Sequence, residues 1–154
     1  MANATIFDRL KQDHDLHRQL FDRLAGAQDD RERLENLFNE FRVEVTAHAA
    51  AEEETLYATM LARPDLREDA QHSVAEHKEI DDYLEELDGL EFNGADWRET
   101  FAKLKKRYLH HIEEEEEEMF PDAAAELADE EEHRLAEIFA RRKPAELQRA
   151  EAAD

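Results

Sequence analysis

Two segments of this chain carry one pattern at a fixed displacement. Leu34, Phe38, Phe41, Val45, His48, Glu52 and Leu56 recur 63 residues later as Trp97, Phe101, Leu104, Tyr108, His111, Glu115 and Met119. The steps within each series are three or four residues, the spacing of one helix face packed against neighbours. The same displacement carries His14 to His77, Phe21 to Leu84 and Leu24 to Leu87 in the segments just before them. The first of these segments has its own seam, formed by Phe7, Leu10, His14, His17, Phe21 and Leu24. A helical hairpin is therefore repeated as a whole unit. Two hairpins of one design bury their seams best against each other, which predicts an all-α, up-down-up-down four-helix bundle.

The breaks agree with that reading. The chain has three glycines and three prolines, most of them where helices should stop, and the stretches 25–30, 62–65 and 91–96 read as loops. They leave long helices at about 4–25, 30–61, 66–89 and 96–120. Asp65 with Glu68, and Asp96 with Glu99, have the spacing of capping boxes in which Asp replaces Ser or Thr. A short C-terminal fifth helix is expected at 129–142, with a polar tail after Pro144. No segment alternates with the period of two that a half-buried strand needs. The expected organisation is a bundle domain over 1–125, with the short helix and tail of 126–154 packed on it or trailing from it.

Bulk properties narrow the function. At 154 residues the chain suffices for one domain with a core. A net charge of −22 argues against nucleic acid, whose phosphates need a basic patch. No apolar run approaches membrane-spanning length, so no membrane partner is expected. The opening "MANATIFDRL" has no leader pattern, so the cytoplasm is the expected location. Cysteine is absent, so any metal must use nitrogen and oxygen ligands, which suit iron, manganese or zinc. Catalytic triads, phosphate loops and nucleotide fingerprints are also missing. No catalytic residue is identified beyond a metal centre.

The candidate centre comes from the seams. His48 with Glu52, and His111 with Glu115, are four apart and share a helix face. His14 and His77 project from the other two helices. Four imidazoles and two carboxylates in a bundle core are costly unless they are paired or hold metal. Six donors suit two cations: two imidazoles each, and the carboxylates bridging ions about 3.5–4 Å apart. Such a set leaves coordination positions open for a small ligand, unlike a closed structural site. The histidines carry the argument, because glutamates crowd both motifs. His17 lies on a seam but meets Ile80 in the repeat, and reads as a core histidine beside the centre. His110 falls at a helix flank, while His72 and His133 read as surface residues. Tyr57 and Tyr108 fall near the metal layer, where packing alone would also explain them. A ferritin-like carboxylate site needs two Glu-x-x-His pairs, and only Glu130-x-x-His133 fits, on the wrong helix.

"DHDLH" around His14, "HAAAEEETLY" from His48, "EHKEI" around His77 and "HIEEEEEEMFP" from His111 together resemble the hemerythrin-like HHE cation-binding domain. The resemblance covers roughly residues 4–125. It implies two iron ions, one held by His14 and His48 and the other by His77 and His111. Glu52 and Glu115 then bridge them beside an oxo or hydroxo oxygen from solvent. Oxygen-carrying hemerythrins have a fifth histidine four residues before the position of His77, where this chain has Ser73. That departure turns the expectation from simple oxygen carriage toward a redox-active di-iron protein. Its small ligands would be dioxygen, hydrogen peroxide or nitric oxide, in peroxide or nitric oxide detoxification or another oxidative-stress role. The alternative is a reversible oxygen or iron module acting as carrier or sensor. Ala58 stands where the family usually has proline, and a homodimer is compatible with the pattern.

Overall fold

The computed structural model describes residues 4–153. Helix α1 (Ile6–Gly26) is followed by α2 (Arg31–Glu52), which runs on through a π-helical turn at Glu53–Tyr57 into a last turn at Ala58–Leu61. Helix α3 (Arg67–Asp88) leads to α4 (Ala95–Glu114). The latter continues through a second π turn, Glu115–Met119, into Phe120–Glu126. Helix α5 (Asp129–Ala152) closes the chain, and no strand occurs among the described residues. This is the helical bundle that the periodicity predicts.

The helix starts differ from expectation. Thr5 and Asp8 form a reciprocal capping box on α1, and Asp30 caps α2 through the N–H of Arg33. The two boxes expected at Asp65 and Asp96 do not form. Buried Leu66 takes the N-cap position of α3, and Gly94 that of α4, without a side-chain cap. Glu68 and Asp96 fall inside the first turn instead, where a negative charge still favours the helix dipole. The chain reverses before α4 at Asn93, whose φ of 60° is a left-handed conformation that asparagine tolerates better than most residues.

The fifth helix is also longer than expected, running past Pro144 to Ala152. Proline removes one N–H bond to the carbonyl four residues earlier, here that of Ala140. Both residues lie on the exposed face, so water can serve that carbonyl. The opposite face carries a buried stripe on both sides of the proline: Leu135, Phe139, Lys143, Glu146 and Ala150. Packing of this stripe on α1 and α2 holds the helix together across a residue that would end an isolated one.

Two apolar clusters divide the interior. One, at the π-turn end, includes Ile6, Leu10, Leu56, Met60, Phe120 and Phe139. The other includes Phe21, Leu34, Phe41, Leu84, Trp97 and Leu104. Its symmetry is visible in half-buried Phe38 and Phe101, equivalent in the repeat, whose rings meet edge to face at 5.9 Å. Between the two clusters lies a layer of buried polar side chains.

Candidate metal centre

That layer contains all six candidate ligands. His14 comes from α1, His48 and Glu52 from α2, His77 from α3, His111 from α4, and Glu115 opens the second π turn. None is more than 5% exposed. Each carboxylate faces one imidazole of its own helix and one from the other hairpin. Glu115 Oε1 lies 3.4 Å from His111 Nε2 and 3.3 Å from His14 Nε2. Glu52 Oε1 lies 3.6 Å from His48 Nε2 and 3.3 Å from His77 Nε2. Two sets, His14–His48–Glu52 and Glu52–His77–His111, offer donor atoms that lie within 4.8 Å of one another, and Glu52 belongs to both.

The inner atoms of this layer lack hydrogen-bond partners. They are Nε2 of His14, His48 and His111, both oxygens of Glu52, and Glu115 Oε1. A buried polar atom left unpaired costs about 1–3 kcal/mol, so a concentration of them at one point calls for an occupant. Nitrogen and carboxylate oxygen converging on a closed space are the donor chemistry of a divalent transition metal. Charge runs the same way. Burial disfavours the charged form of His14, but the carboxylates of Glu115 and Glu116 outweigh it and raise its pKa to about 9. At His77 burial is likewise outweighed, by Glu52 and Glu53, and the pKa rises to about 10. Both rings therefore hold a proton more tightly than a free imidazole does, and a cation binding there would have to displace it.

The outer nitrogens are fully engaged, and the sequence reading missed what engages them. Each imidazole donates its Nδ1–H to a carboxylate: His14 to Glu116 at 2.7 Å, His48 to Asp13 at 2.8 Å, His77 to Glu53 at 2.9 Å and His111 to Glu76 at 2.7 Å. This fixes the orientation of each ring and turns every Nε2 inward. These four carboxylates obey the displacement of 63 as well, Asp13 matching Glu76 and Glu53 matching Glu116. Each is the chain neighbour of one candidate ligand yet braces a ligand on another helix. Arg107 pairs with Glu76, and Arg18 with Glu116 at 3.0 Å. Burial would raise both carboxyls, but His111 and Arg107 at the one, and His14 and Arg18 at the other, pull each down to about 2.

Comparison with known proteins shows the family. The family model described as hemerythrin HHE cation binding domain matches residues 5–123. The chain belongs to the hemerythrin HHE family. The fold superposes with a TM-score of 0.81 on the crystal structure of an HHE cation binding domain-containing protein from Mycobacterium kansasii. That match is 24% identical and covers 96% of this chain and 89% of the other. The chain is also 26% identical over 142 residues to a Nostoc sp. protein named DNA nickase, covering 89% of this chain but 38% of that relative's length.

In this HHE domain both π turns begin at or beside a candidate ligand, Glu53 following Glu52 and Glu115 itself starting the second. A π turn adds a residue to a helical turn and re-aims the side chains around it, a common device at functional sites. The first brings in Tyr57, fully buried, whose hydroxyl donates to Glu115 and lies 3.3 Å from His77 Nε2. Tyr108 is hydrogen-bonded to His17 Nδ1 at 2.6 Å, and the His17 ring sits edge-on to His48 with centroids 5.1 Å apart. Burial, helped by the positive fields of His48 and His14, keeps His17 neutral by lowering its pKa well below the usual imidazole value. His72 and His110 are exposed, and His133 donates to the Ala4 carbonyl at 3.2 Å. Ser73 is buried with its hydroxyl 3.1 Å from Met119 Sδ. It lines a cavity of about 420 Å³ whose walls also include Glu115, Asp69, Glu117, Glu118 and Asp122.

Proposed function

We propose that this chain holds two iron ions with His14, His48, Glu52, His77, His111 and Glu115, and reacts there with dioxygen, hydrogen peroxide or nitric oxide. The observation that carries the reading is the convergence of unpartnered, fully buried nitrogen and oxygen donors on one point of the core. Bound iron would supply the one-electron redox chemistry that no side chain here offers. The four imidazoles bind and orient, each braced from behind by a carboxylate. Glu52 and Glu115, each facing two imidazoles, are placed to be shared. Tyr57 holds its phenolic proton against Glu115. The two apolar clusters exclude bulk water from above and below the layer.

The cavity at Ser73 supports a small ligand. A histidine there would project toward the centre, whereas serine leaves room. The carboxylates along the cavity disfavour anions and let neutral molecules and cations pass. No helix among the described residues is long and apolar enough to cross a membrane. A nucleic-acid role gains no support from the Nostoc relative, because the net charge of −22 opposes contact with phosphates.

The test uses the chain purified from iron-containing medium. About two irons per chain and near-ultraviolet absorption are expected. His77→Ala or His111→Ala should lose at least one iron, and His133→Ala none. Turnover of added peroxide beyond that of free iron supports the redox reading. A reversible, oxygen-dependent absorption change without peroxide consumption would favour the carrier instead. Loading that depends on His133 but not on His77 would contradict the ligand set.

A further inference from the structure

The family match ends at residue 123, yet the fifth helix beyond it reaches the ligand layer. Lys143 of α5 is only 5% exposed. Its ammonium lies 2.9 Å from Asp13 Oδ2 and 3.1 Å from Glu44 Oε2. That same Asp13 oxygen accepts the Nδ1–H of His48. One turn earlier on α5, the Phe139 ring meets the His48 ring edge to face at 5.8 Å. The helix thus sets one aromatic ring directly against His48 and one buried cation against the carboxylate that braces it.

The repeat explains why this cation comes from outside the bundle. In the second hairpin, Glu76 braces His111 and takes its cation from Arg107 of α4. The residue equivalent to Arg107, 63 positions earlier, is Glu44. The first hairpin therefore has an acid where the second has a base. Asp13 and Glu44 face one site with two negative charges, and Arg9 reaches only the other oxygen of Asp13. Burying a lysine ammonium is expensive unless it is paired, and here the pairing is double.

We propose that Lys143 is a positioning residue for the first half of the centre: through Asp13 it fixes the ring of His48, so α5 is part of the metal site rather than an appendage. The inference rests on His48 being a ligand, as proposed above. The test is a titration of metal-free full-length protein with cobalt(II), followed by visible absorption. The native chain should take up two equivalents. Lys143→Met should weaken one equivalent by about 10–100-fold, the usual cost of losing an outer-shell partner, and leave the other unchanged. Arg142→Ala, which removes an exposed α5 pair with Glu54, should change neither. The decisive variant is Glu44→Arg combined with Lys143→Met, which rebuilds the Arg107 arrangement and should restore the weakened equivalent. This double variant also carries the test if the single one fails to fold. Native affinity for both equivalents in Lys143→Met, equal weakening of both, or no recovery in the double variant would overturn the proposal. Uptake of no cobalt by the native chain would instead overturn the metal reading beneath it.

Discussion

Replacing Glu52 by glutamine is expected to empty both halves of the centre, where replacing His111 empties one. Glu52 is the residue common to both donor sets, and it is fully buried. Both of its oxygens lack a hydrogen-bond partner, so both are available to cations. Glutamine keeps the volume but presents an amide N–H₂ where an anionic oxygen stood. Glu115, which faces His14 and His111, would then be the one carboxylate left among four imidazoles to offset two cations. The loss should exceed the roughly 100-fold that outer-shell changes cost. Metal counted after desalting should be near zero for Glu52→Gln, near one per chain for His111→Ala and unchanged for His133→Ala. A Glu52→Gln protein that keeps a full equivalent would show that the two halves do not share this carboxylate.

Stripping the metal should lower thermal stability by a large amount. Binding at a hundredfold excess over Kd stabilises by about 2.7 kcal/mol per site, so two sites give about 5 kcal/mol. For a chain of this size each kcal/mol moves Tm by roughly 2–4 °C, which predicts a fall on the order of 10–20 °C on chelation. The empty layer keeps six buried polar groups whose inner atoms face one another across 3.3–3.6 Å, all but His77 Nε2 without a hydrogen bond. Scanning calorimetry on chelated and reloaded protein would measure the difference. An unchanged Tm would mean that the layer is content without cations.

The six candidate ligands were legible in the sequence because histidine is scarce on an apolar seam. Four histidines obeying one displacement stand out, and the structure brings all four together with Glu52 and Glu115. The carboxylates behind them were not seen, because the chain has 42 acidic residues and an extra glutamate beside Glu52 or Glu115 draws no attention. The displacement would have found them, since Asp13 matches Glu76 and Glu53 matches Glu116. It would also have flagged Glu44 against Arg107, the place where the repeat breaks its own charge pattern. Local rules failed where packing outweighed them. Leu66 is worth more in the core than Asp65 at a cap, and the buried stripe of α5 carries the helix past Pro144. The π turns have no signature in local propensity, because they answer to the geometry of the layer beside them.

Crystals of the iron-loaded chain measured at the iron absorption edge would test the central claim most directly. Two anomalous peaks are predicted about 3.5–4 Å apart, as in other two-metal sites. They should lie between the inward nitrogens of His14, His48, His77 and His111, with Glu52 touching both. A single peak, or peaks only at the separate cluster of His72, Glu76 and Glu114, would contradict the account.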